Sequence, residues 1–270
     1  MIRKRYVGGG YGQVHLREND PAHGMPIACL HATAYSSRSF EALLTALEGR
    51  RHAVAFDTPG YGESDPPPAP VTISDYAGAL VSALPEQCDL FGYHSGVSIA
   101  VEIAIRYPDR IGGLYLMGIP YFRALDFNDW RERLTARHAL GAELEQFAER
   151  WDYLVTGRPD GLSLRRGFEN FVDELKSWPD GWWVHEALFA HDLDARLPLV
   201  RQPVTVINPT GHLAEPSRQA AALIADARVV EFEGPGGATL ERDADRIAEL
   251  ILSANAAGSY RRRNVPETVL

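Results

Sequence analysis

Apolar positions along this chain come in two alternating patterns. Short, nearly continuous apolar runs (PIACLH, HAVAFD, CDLFG, IGGLYLMGIP, PVTVIN and RVVEFE) read as strands. Between them lie stretches with helical spacing. Residues 36–47 place Phe40, Leu43, Leu44 and Leu47 on one face, and residues 95–107 and 216–225 predict further helices. Ser74 is placed to cap a helix running to about residue 84, and residues 240–252 predict the last helix. Residues 2–17 predict two short strands joined by a glycine turn at Gly8–Gly10. Strands alternating with helices argue for a mostly parallel sheet covered on both faces.

The rhythm breaks between residues 121 and 197. That stretch is helical in pattern, without a convincing strand, and holds all five tryptophans: Trp130, Trp151, Trp178, Trp182 and Trp183. The expectation is an α/β core formed by residues 1–120 and 198–255, interrupted by a helical cap at 121–197 and followed by a polar tail at 256–270. The tail carries Arg261–Arg263 and has no apolar face.

Composition narrows the classes. A net charge of −9 argues against nucleic acid or an acidic membrane surface as a partner. Two cysteines in strand-like runs, Cys29 and Cys88, read as buried thiols. The charged opening MIRKRY lacks a following apolar run, so a cytoplasmic setting is expected. No G-x-G-x-x-G follows a strand and no H-E-x-x-H or paired cysteines occur, so no metal or cofactor is expected. The oligomeric state stays open, with a homodimer as the candidate.

Three segments carry a family signature. LHATAYSS matches a strand-to-loop segment that usually begins HG. FDTPGYGESD matches a D-x-P-G-x-G-x-S turn, whose Asp57 and Ser64 are expected to bond local backbone. LFGYHSGVSIAVEIAIRYPDRI matches a nucleophile elbow with its helix. Residues 13–252 thereby resemble the α/β-hydrolase superfamily. The resemblance implies an α/β-hydrolase fold with an inserted cap, an oxyanion hole and a catalytic triad.

The triad is where this sequence departs. The elbow pattern G-x-S-x-G reads Gly92-Tyr93-His94-Ser95-Gly96, which puts His94 at the nucleophile position. The register agrees from the far end, because Pro108 stands sixteen residues after Gly92, as it does in the family. The family's base follows the last strand, yet EFEGPGGATLERD holds no histidine. Its acid follows the preceding strand, where INPTGHL puts Gly211 and His212. A serine hydroxyl without a base is a poor nucleophile, so ordinary ester hydrolysis is not expected.

Backbone donors survive such losses. By position they are the N–H groups of Thr33 and Ser95, the latter opening a helix whose dipole favours negative charge. With His94 as acid and base and His212 beside it, the pocket suits an enolate, phenolate or carbonyl oxygen. His31, Tyr35, Tyr93, Tyr121, Trp182, Trp183 and His185 are candidates to contact a small hydrophobic, aromatic or polyketide-like substrate. The expected function is a cofactor-independent, non-hydrolytic reaction in natural-product metabolism: addition, C–C bond formation, cyclisation, elimination or isomerisation. The alternatives are a hydrolase using Ser95 with an atypical base, and an inactive binding protein.

Overall fold

The structure, a computed structural model, describes residues 1–122, 131–132, 134–136 and 144–256. Its centre is an eight-stranded sheet of order β1-β2-β4-β3-β5-β6-β7-β8. The strands are β1 (Arg3–Gly9), β2 (Gly12–Glu18), β3 (Ile27–Leu30), β4 (Ala53–Phe56), β5 (Cys88–Tyr93), β6 (Ile111–Met117), β7 (Val204–Thr210) and β8 (Ala227–Pro235). The first hairpin pairs antiparallel and β2 runs antiparallel to β4. Every later pairing is parallel.

The central strands explain their own sequence. All residues of β3 and β4 are buried, because helices cover both faces and leave no polar side to alternate with. One core layer joins Leu30, Phe56, Leu90, Ile99 and Leu116, and the other joins Ile27, Phe40, Phe91, Tyr115 and Ile251.

Helices α1 (Glu41–Ala46), α2 (Ile73–Val81) and α3 (Ser95–Arg106) follow β3, β4 and β5. The cap of α2 is Thr72 rather than Ser74. Its hydroxyl accepts from the Asp75 N–H while the Asp75 carboxylate accepts from the Thr72 N–H, a reciprocal box that fixes the helix start. The final helical stretch is also two helices, Gly236–Arg242 and Ala244–Ala256, parted at Asp243.

Between β6 and β7 the described residues are helical: Glu145–Trp151, a π turn at Asp152–Thr156, Leu164–Lys176, Trp183–Ala190 and Leu193–Arg196. Trp130 and most of the polar tail lie outside the described residues. The turn after β4 ties this helical segment to the sheet. Tyr61 donates to the Gly181 carbonyl at 3.1 Å and accepts from the Val184 N–H at 3.2 Å. Asp57, beneath it, accepts from Ser37 N–H (2.6 Å), Glu63 N–H (2.9 Å) and His15 Nδ1 (2.8 Å). Ser64 donates to the Asp57 carbonyl, as expected of a local turn. Among the described residues no helix is long and apolar enough to cross a membrane.

Candidate active site

The turn from β5 into α3 is sharp because its sequence permits nothing bulky on the inside. A Cβ at Gly92 would stand 2.7 Å from the Val97 Cα, and one at Gly96 would stand 2.2 Å from the Leu30 carbonyl oxygen. His94 sits at the apex with φ 50° and ψ −115°, the one non-glycine residue at positive φ among those described. Such a backbone persists only when the surroundings hold it. Here the His94 N–H donates to the Met117 carbonyl and the His94 carbonyl accepts from the Val97 N–H, both at 2.9 Å. The register with His94 at the elbow is therefore the observed one.

His94 opens onto a cavity of about 510 Å³ between the strand ends and the helical segment. That volume falls within the usual range for small-molecule sites. Two further histidines line it. His212 comes from the loop after β7 and His185 from the helix Trp183–Ala190. Burial pushes the His94 imidazole down to about 4, helped by the nearby His212. Burial, His94 and Arg150 push His185 down to about 3, against a hydrogen bond with the Leu134 backbone. Burial lowers His212 as well. All three rings are thus neutral near pH 7, and each can offer one donor and one acceptor. Among the described residues the buried His94 Nδ1 has no hydrogen-bond partner.

No histidine arrives from the loop after β8. Pro235, Gly236 and Gly237 line the cavity there. The one carboxylate among the described lining residues is Glu174, and both its oxygens accept from Arg150.

The oxyanion-hole expectation needs correcting. Thr33 lines the cavity, but its N–H donates to the Ser95 hydroxyl at 2.7 Å, and the two hydroxyls are 2.6 Å apart. The Thr33 N–H therefore does not point at open cavity. Ser95 is 2% exposed and is not among the cavity-lining residues.

The remaining candidates divide. Tyr35, Tyr93 and Trp182 line the cavity, and burial raises the phenols of Tyr35 and Tyr93, the latter to about 12. His31 does not line it. Its Nδ1 meets the Ala32 carbonyl and its Nε2 accepts from the Thr58 N–H, so it is a strut between loops. Tyr121 donates to Asp194 and borders a smaller, separate cavity. Trp183 packs edge-on against Trp182 at 6.3 Å, outside the lining, and its buried Nε1 has no partner among the described residues.

Several lining residues escaped the sequence reading: Arg150, Tyr153, Asn170, Glu174, Trp178 and Asn208. Asn208 could have been suspected from its place at the end of β7. It is fully buried, donates to Glu231 at 2.9 Å, and its Oδ1 has no partner among the described residues. The others lie on cap elements that carry no motif. Among the described residues no group of three or more His, Cys, Asp or Glu side chains is arranged to hold a metal ion.

The model of the alpha/beta hydrolase family matches residues 23–250. The chain belongs to that family. It is 32% identical over 109 residues to the pimeloyl-(acyl-carrier protein) methyl ester esterase of Shewanella woodyi, covering 40% of this chain and 41% of that one. It is 31% identical over 110 residues to the 2-hydroxymuconate semialdehyde hydrolase of a Pseudomonas species, covering 37% and 38%. The chain thus spans about two-fifths of the length of these relatives. An epoxide hydrolase from Vigna radiata superposes with a TM-score of 0.76 at 18% identity over 95% of this chain and 98% of that one. An enol-lactonase from Burkholderia xenovorans superposes with 0.69 at 22% identity, over 93% and 100%. These last two likenesses are of fold alone.

Proposed function

We propose that this alpha/beta hydrolase family member is a cofactor-independent, non-hydrolytic enzyme acting on a small hydrophobic, aromatic or polyketide-like molecule in natural-product metabolism. The observation that carries this reading is His94 at the apex of the elbow, where the fold presents its reactive side chain. An imidazole there moves protons; it lacks the general base that an acyl-transferring serine would need. Its neutral state at pH 7 leaves it able to accept a proton from carbon or oxygen beside a polarised carbonyl. Burial disfavours a lasting imidazolium at His94, so the proton is handed on rather than kept. Trp178, Trp182 and Tyr93 supply flat apolar walls for a ring system. Addition, ring closure, elimination and isomerisation all need such a proton transfer.

The similarity to an esterase and a hydrolase favours a second reading, hydrolysis through Ser95. The burial of Ser95 and its bonds to Thr33 speak against it. The test is direct. Neutral aromatic ketones and β-dicarbonyl compounds are incubated with enzyme in D2O, and exchange at the α-carbon is followed by NMR. Wild type should accelerate exchange and His94→Ala should not. Turnover of p-nitrophenyl esters together with fluorophosphonate labelling of Ser95 would overturn the proposal in favour of hydrolysis.

A further inference from the structure

The Thr33–Ser95 contact has a consequence for how a substrate oxygen is held. A backbone N–H can only donate, so the Thr33 N–H fixes the Ser95 oxygen as acceptor. The two hydroxyls, 2.6 Å apart, share one further proton. Two arrangements are open to them. If Thr33 donated, Ser95 would accept twice and its own proton would need an acceptor. Among the described residues none accepts it, and a buried hydroxyl without a partner is costly. If Ser95 donates, both its hydrogen-bonding roles are filled. The Thr33 hydroxyl then has its own proton to spare, and Thr33 lines the cavity.

We infer that the Thr33 side-chain hydroxyl donates to the substrate's oxygen in this site, with Ser95 as the positioning residue that orients it. The donor has moved from main chain to side chain. An O–H held this way and neighbouring neutral imidazoles suit an uncharged carbonyl or enol oxygen rather than a full tetrahedral oxyanion, which calls for two converging N–H groups. The inference rests on the cavity being the substrate site proposed above, and it names a neutral carbonyl compound as the substrate class.

The experiment uses acetophenone as the probe, with binding measured by calorimetry and its carbonyl stretch by infrared difference spectroscopy. In wild type the stretch should fall below its value in apolar solvent, reporting a hydrogen bond. Thr33→Val, which keeps the shape and removes the hydroxyl, should restore the apolar value and weaken binding roughly two- to tenfold. Thr33→Ser should rescue both, which a purely structural role for the threonine would not require. Ser95→Ala releases the Thr33 N–H and the partner of its hydroxyl, so the band should shift again. Thermal melts of each variant keep folding apart from binding. An unchanged band in Thr33→Val overturns the inference and leaves the functional proposal standing. An unchanged band in Ser95→Ala removes the positioning role. Failure of wild type to bind acetophenone at millimolar concentration counts against the functional proposal, and the inference falls with it.

Discussion

Gly96 runs against the carbonyl of Leu30, and a methyl group added at residue 96 would lie 2.2 Å from that oxygen. Both partners are main chain, anchored in β3 and α3, so neither can yield by rotating a side chain. Gly96→Ala should therefore destabilise the protein by about 1–3 kcal/mol or more, as overpacking of rigid interiors does. Gly8 in β1 meets nothing within 4 Å and serves as control: Gly8→Ala should move stability little. Urea midpoints of the two variants make the comparison, and equal midpoints would contradict the argument.

The order of effects at the elbow separates acid–base chemistry from a serine nucleophile. His94→Ala should lower turnover about a hundred- to ten-thousand-fold while the protein stays folded. Ser95→Ala should cost far less, because a hydroxyl that only orients Thr33 can be replaced in part by the released N–H. Both are measured as single-turnover rates in the deuterium-exchange assay. A dead Ser95→Ala beside an active His94→Ala would reverse the assignment.

Stability should weaken as the solution is acidified through the histidine range. His94 and His185 are held at about 4 and about 3 in the folded protein, below the ordinary value near 6.5 in the unfolded chain. Between those limits the unfolded chain binds more protons. The contribution is complete above pH 6.5 and is lost as pH falls toward 4. The urea midpoint should be lower at pH 5 than at pH 7.5, and His185→Phe should flatten that dependence. An equally steep dependence in the variant would locate the effect elsewhere.

Tyr61 links the turn after β4 to the cap through one donated and one accepted hydrogen bond. Tyr61→Phe leaves the Gly181 carbonyl and the Val184 N–H without that partner, at a cost of roughly 1–3 kcal/mol. Because these groups adjoin Trp182, the loss should also weaken acetophenone binding. A variant as stable as wild type, with unaltered affinity, would show that the cap is held by other contacts.

What was legible in the sequence follows from how local each signal is. Buried parallel strands announce themselves as apolar runs, and the elbow declares itself through glycines that must be glycine. The lack of a histidine after β8 needs only a count. The cap of α2 lies two residues before Ser74 because Thr72 and Asp75 make a capping box with an aspartate in place of the usual glutamate. The lining residues of the cap were less legible. Whether Trp182 or Trp183 meets the cavity depends on the rotation of a short helix, set by contacts with Tyr61 that lie far away in sequence. His31 and Thr33 sit on one loop, yet only the loop's path decides that the first braces it and the second lines the cavity.

The stretch Pro235-Gly236-Gly237 makes one wall of the pocket respond to substitution in a single direction. A cavity wall of side chains can drift in either direction, larger or smaller, sharper or flatter. This wall is mostly bare main chain, with Pro209 behind Gly236 and Pro159 beside Gly237, at 3.1 Å and 2.9 Å from where new Cβ atoms would sit. Substitution of either glycine can only subtract room. Any substitution that enlarges or reshapes the cavity must therefore fall on the facing cap residues, while the glycine wall can change in one direction only.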